Sequence, residues 1–103
     1  MENKEIMDNT IYEYLKILKF NDDEIATLLE IAPVLEETSA EDAAKNIDAI
    51  EHFGYPIDDI TYLISQNPAF LTRNFNDLVE DLQKIQSVYG DIEEALKNNP
   101  HLI

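Results

Sequence analysis

The sequence predicts an all-α domain of three stacked helix-pair repeats, and three observations carry that prediction. The first is repetition. FNDDEIATLLEIAPVL (20–35), YPIDDITYLISQNPAF (55–70) and YGDIEEALKNNPHL (89–102) follow one pattern, and Pro33, Pro68 and Pro100 lie 35 and 32 residues apart. A period in the thirties marks helical units that cannot bury an apolar face alone and must stack. The second is apolar spacing of three and four residues, with no alternating strand pattern competing. The third is the proline that closes each cycle, because the residue before a proline is pushed out of the helical region. Helices are expected near residues 6–19, 22–31, 40–53, 57–66, 75–88 and 92–98. The repeats run roughly over 8–35, 40–71 and 75–103, within one domain spanning 1–103.

In the first unit Ile11, Tyr14, Leu15 and Leu18 share a helical face. Asn21 with Glu24 three residues on makes a capping box, opening a short helix that carries Ile25, Leu28, Leu29 and Ile31. In the second unit Thr38 or Ser39 can cap a helix whose apolar face is Ala40, Ala43, Ala44, Ile47 and Ile50. Gly54 suits the left-handed position after its last turn. Ile60, Leu63 and Ile64 form the next short stripe, up to Asn67-Pro68. In the third unit Asn74 precedes Asp77 as a cap, and Phe75, Leu78, Val79, Leu82, Ile85 and Tyr89 hold helical spacing. Gly90 breaks that helix, Asp91 and Glu94 open another, and Ile92, Ala95 and Leu96 lead to Asn99-Pro100. A turn three residues shorter accounts for the shorter second period. The expected core is Leu15, Leu18, Ile25, Leu28, Leu29, Ile47, Ile50, Phe53, Ile60, Leu63, Ile64, Leu78, Leu82, Ile85 and Leu96.

Composition supports a folded but strongly acidic domain. The 103 residues include 45% hydrophobic side chains, enough for a core despite the charge. There is no cysteine, so neither a disulfide framework nor a thiolate metal site is available. No apolar run approaches a membrane span, and the first residues form neither a signal peptide nor an Arg-rich transit peptide. The expected compartment is the cytoplasm, with no membrane partner. Seven basic residues face 22 acidic ones, a net charge of −15. Such a surface repels phosphate backbones, since nucleic-acid binders need clustered Lys and Arg to displace counterions. It favours solubility or a basic protein partner.

FGYPIDDITYLISQNPAFL, from Phe53 to Leu71, resembles the repeat of the mitochondrial transcription termination factor (mTERF) family. LKFNDDEIATLLEIAPVL and VYGDIEEALKNNPHLI are similar to it in the same order, so the resemblance covers about Ile11 to Ile103. It implies a left-handed stack of units, each two α-helices plus a short helical turn after the proline. It also implies nucleic-acid binding through a basic concave groove built from many repeats. This chain has three units, is acidic and carries one arginine, Arg73. Those departures disfavour the nucleic-acid role.

Catalytic signatures are missing. There is no Gly-rich phosphate loop, no cysteine nucleophile and no His–carboxylate pair at metal-ligand spacing. No catalytic, cofactor or metal residues are therefore assigned, and no enzyme activity is expected. His52 reads as a helix-edge residue and His101 as a spacer after Pro100. The recurrent acids Asp23/Glu24, Asp58/Asp59 and Asp91 fall at short-helix starts, where capping and the helix dipole account for them. Tyr55 and Tyr89 match Phe20 in the turns and are expected to pack against a neighbouring unit. Tyr12 and Tyr62 lie off the apolar stripes; with Glu13, Glu51 and Asp59 they make a candidate aromatic–acidic contact surface. Leu102 and Ile103 occupy core positions with no following helix, which suggests weak homo-oligomerisation through the C-terminal edge.

These readings converge on a non-enzymatic protein-interaction module, presenting a carboxylate and tyrosine surface to a protein partner. One alternative is an acidic DNA mimic that occupies a nucleic-acid-binding protein. It predicts acids on one extended face, where solubility alone predicts them all round. The other is an mTERF-like nucleic-acid factor, which would need Lys16, Lys19, Lys45, Arg73, Lys84 and Lys97 to converge.

Overall fold

The computed structural model describes residues 11–103, and every regular element among them is helical. Six α-helices follow in order: α1 (Ile11–Ile17), α2 (Asp22–Ile31), α3 (Ala40–His52), α4 (Ile60–Gln66), α5 (Phe75–Tyr89) and α6 (Ile92–Asn98). Residues 6–10 of the expected first helix lie outside the described residues. A short 3-10 turn follows each proline, at Pro33–Glu37, Pro68–Thr72 and Pro100–Leu102, and a fourth (Ile57–Asp59) leads into α4.

The sequence dictates most helix boundaries through capping. The Asn21 side chain accepts from the Glu24 amide while the Glu24 carboxylate accepts from the Asn21 amide, each at 2.8 Å. Ser39, rather than Thr38, caps α3 by accepting from the Asp42 amide at 3.0 Å. Asn74 does the same for α5 at 3.1 Å, and Asp91 for α6 at 3.0 Å. The residues before the three prolines, Ala32, Asn67 and Asn99, have φ of −131°, −150° and −147°, outside the helical region. Gly54 (φ 114°) and Gly90 (φ 84°) take the left-handed turns after α3 and α5.

Three expectations need correction here. The first helix stops at Ile17, not 19, because Lys19 takes a left-handed φ of 81° that no helix continues through. Asp59 does not cap α4 with its side chain; its carboxylate pairs with Lys97 at 2.8 Å. Tyr89 is 57% exposed, whereas Tyr55 is buried like Phe20. Tyr89 lies two residues closer to its proline than Phe20 and Tyr55 do, which explains this. Counting back from the prolines, Tyr55 aligns with Phe20, but Tyr89 aligns with the exposed Ile57.

Packing runs between neighbours along the chain. α1 lies against α3 and α3 against α5, while α3 also rests on the turn after Pro68 and that turn on the one after Pro33. α4 packs on the turns after Pro68 and Pro100, and α6 on α5. One apolar cluster runs throughout. Of the expected core, Leu18, Leu29 and Phe53 are only half-buried. Leu18 and Phe53 each precede a left-handed turn, where the helix ends and covers one side only. Leu29 flanks the Ile25 and Leu28 stripe on a helix whose main neighbours are α1 and the first post-proline turn. Leu35, Tyr55, Phe70 and Leu71 join the core fully. They sit in turns, where helical spacing gives no signal.

Candidate functional site

The predicted contact residues fall into separate groups. On α1, the Tyr12 hydroxyl donates to Asp22 Oδ1 at 2.7 Å. Lys16 Nζ lies 3.2 Å from the same carboxylate and 5.4 Å from the Tyr12 ring centre. The hydrogen bond to Asp22 raises the Tyr12 pKa, and the Tyr12 and Lys16 donors lower that of Asp22. Glu13, half-buried on the same helix, adds its charge beside Lys16.

Asp59 and Tyr62 form a second group at the start of α4. Lys97 on α6 bridges Asp59 and Glu93, each at 2.8 Å, and those hydrogen bonds raise its pKa. Tyr62 is 48% exposed and borders a small cleft with Leu18, Lys19, Phe20 and Glu24. Tyr62 therefore faces the α1–α2 turn. Glu51 is exposed on α3 and joins neither group through a side-chain contact. Leu102 and Ile103 are half-buried against the core. The Ile103 carbonyl accepts from Arg73 Nη1 at 3.0 Å, and Asn67 Nδ2 donates to the Pro100 carbonyl at 3.0 Å. The C-terminal turn is thus folded back onto the preceding unit.

A further feature lies at the seam between α3 and α5. Ala49, Phe53, Phe75 and Val79, with Lys45, Asp48, His52 and Gln83 beside them, line a trough of about 660 Å³. A neighbouring cleft of about 400 Å³ shares Lys45 and Phe75 with it and adds Val34, Glu37, Thr38, Asp42, Asn46 and Arg73. Phe75 is 43% exposed between the two. The sequence did contain a signal for this seam. Phe75 and Val79, at i and i+4, widen the apolar stripe of α5 beyond the ridge of Leu78, Leu82 and Ile85 that the core uses.

Asn46 is wholly buried in the wall of that cleft. Its Nδ2 donates to the carbonyls of Phe70 and Arg73 at 2.9 Å each, and more weakly to Leu71 at 3.4 Å, so it caps the turn after Pro68. Its Oδ1 has no hydrogen-bond partner. A buried acceptor left so costs about 1–3 kcal/mol. Asp81 stands at the same register position one unit on, seven residues after its helix cap. There Arg73 bridges Asp81 Oδ2, at 2.7 Å, to the Ile103 carbonyl, so the last turn is held through an ion pair. The single arginine is committed to that bridge.

Among the described residues no group of three or more His, Asp or Glu side chains is placed to hold a metal ion, and no helix is long and apolar enough to cross a membrane. Comparison of the chain with protein-family models, curated proteins and solved structures gave no match.

Proposed function

We propose that the chain is a non-enzymatic protein-interaction module: a short, mTERF-like array of three helix pairs that offers an acidic, tyrosine-bearing surface to a basic protein partner. The observation that carries this reading is the exposure of Tyr12, hydrogen-bonded to Asp22, and of Tyr62, which borders a cleft with Glu24 at the α1–α2 turn, in a chain of net charge −15. Tyrosine gives a large contact area at low entropic cost, and surrounding carboxylates steer a basic partner. The array reading is supported by neighbour-to-neighbour packing and by the elongated 49 × 25 × 22 Å shape. Exposed acids occur on α2, α3, α5 and α6, which favours this reading over a mimic with one row of carboxylates.

Affinity capture from the native cell extract tests the proposal against the nucleic-acid reading. The expected result is a protein retained saturably by the wild-type chain and lost with the Tyr12→Ala/Tyr62→Ala double variant, with no nuclease-sensitive component. Retention of DNA or RNA at physiological salt would restore the nucleic-acid role, and capture of nothing would remove the interaction reading.

Weak self-association through the C-terminal edge belongs to the same proposal, since Leu102 and Ile103 are covered only in part. Sedimentation at ~100 µM, above the micromolar range of weak dimers, should show some dimer that Leu102→Ser/Ile103→Ser abolishes. A monomer mass for both proteins would mean that the fold itself covers the edge sufficiently.

A further inference from the structure

We propose that the α3–α5 seam is the docking site for an amphipathic helix of a basic partner protein. Apolar side chains of that helix fill the trough over Ala49, Phe53, Phe75 and Val79, and one lysine or arginine enters the adjoining cleft beside Glu37, Asp42 and Asn46. The inference rests on the interaction-module reading and locates its binding site.

Two independent features of the seam specify the occupant. The first is the local charge. Arg73 is neutralised by Asp81, which leaves Glu37, Asp42 and Asp48 against Lys45. A cationic helix is attracted here and an anionic one repelled. The second is Asn46, a residue of the cleft lining whose enclosed Oδ1 has no hydrogen-bond partner. Glu37 and Asp42 line the same cleft as acceptors, and an ammonium or guanidinium supplies donors only.

The geometry also matches a helix better than a strand or a small molecule. Phe75 and Val79 lie one turn apart on α5, and Lys45, Ala49 and Phe53 lie one turn apart on α3. Two rows at that spacing, one on each helix, form the walls of a groove suited to i, i+3, i+4 and i+7 side chains. No exposed sheet edge exists among the described residues to pair with a strand.

The test uses two synthetic helical peptides with the same leucine spacing, one with lysine and one with glutamate at all other positions, titrated into the ¹⁵N-labelled chain. The expected result is saturable binding of the lysine peptide alone. Shifts should concentrate at Ala49, Phe53, Phe75 and Val79 and include the Asn46 side-chain amide. Phe75→Ala should weaken binding about tenfold, as loss of a central aromatic anchor does, whereas Val88→Ala on the exposed end of α5 should not. Glu37→Lys/Asp42→Lys, both at exposed positions, supplies a second variant that leaves the core untouched, and it should weaken binding similarly.

Shifts scattered over the acidic surface and indifferent to Phe75→Ala would overturn the site while leaving the interaction reading intact. Equal binding of both peptides would overturn the charge assignment. An unmoved Asn46 amide would overturn the lysine-in-cleft half of the proposal. Absence of saturable binding by either peptide would overturn the site, and the capture experiment would judge the broader reading separately.

Discussion

Truncating Leu63 or Leu82 to alanine should destabilise the domain by about 2–5 kcal/mol each, the range for a fully enclosed leucine. Both side chains are 0% exposed. Leu63 sits on α4 against the post-proline turns, and Leu82 lies in the middle of α5, the longest helix among the described residues. Both are fully enclosed, so the surroundings have little freedom to collapse into the space left behind. Total stability for a domain of this size is roughly 5–15 kcal/mol, so either loss is a large fraction of it. Urea melts followed by circular dichroism give the comparison directly. Losses below about 1 kcal/mol for both variants would mean that these residues do not anchor the core.

The helices were legible in the sequence because their signals are local. A cap such as Asn21 acts on an amide three residues away, and a proline acts on the residue just before it, so a short string of letters is enough to place each boundary. The buried stripes were legible for the same reason, and Leu15, Ile25, Ile47, Leu63 and Leu82 all lie within helical spacing. What the sequence hid depends on contacts between units. Tyr55 and Tyr89 look alike in their turns, yet one is buried and the other exposed, because proline register and not local resemblance decides their depth. Phe70 and Leu71 lie in a 3-10 turn that helical periodicity does not describe. Asp59 reads as a cap until Lys97, 38 positions along the chain, is brought beside it.

The contact surface was legible only in part, for a related reason. Exposure of Tyr12 and Tyr62 follows from their place off the apolar stripes. The α3–α5 seam needs two helices from different units, and its polar end contains an asparagine that sequence reasoning passes over as an ordinary helix residue. Asn46 and Asp81 hold one register position and solve one problem differently. Each long helix must satisfy the free carbonyls of the post-proline turn beneath it. Asn46 does so directly with its amide, whereas Asp81, having no donor, recruits Arg73 to reach Ile103.

That difference makes Asn46 the most sensitive polar position in the described fold. Asn46→Ala should cost about 2–4 kcal/mol, because the carbonyls of Phe70 and Arg73 lose a buried donor. Asn46→Asp keeps the shape and reverses the chemistry, setting a carboxylate against those same oxygens. Near neutral pH it should cost more than alanine, on the order of 3–5 kcal/mol, as an uncompensated buried charge does. The pH dependence separates the two variants. Burial and the facing carbonyls push the introduced carboxyl pKa up in the folded state, so the unfolded chain releases its proton first as pH rises. Stability of the Asp variant relative to wild type should be highest below the unfolded carboxyl pKa, about 3.9, where the protonated group can donate to one carbonyl. It should fall as pH rises through the folded pKa. The deficit of Asn46→Ala should stay flat over the same range, because alanine does not titrate. Denaturant melts of both variants and wild type at matched pH values read this out. Parallel pH profiles for the Asp and Ala variants, or an Asp variant within about 0.5 kcal/mol of wild type at neutral pH, would mean that Asn46 does not hold the turn after Pro68 through its amide.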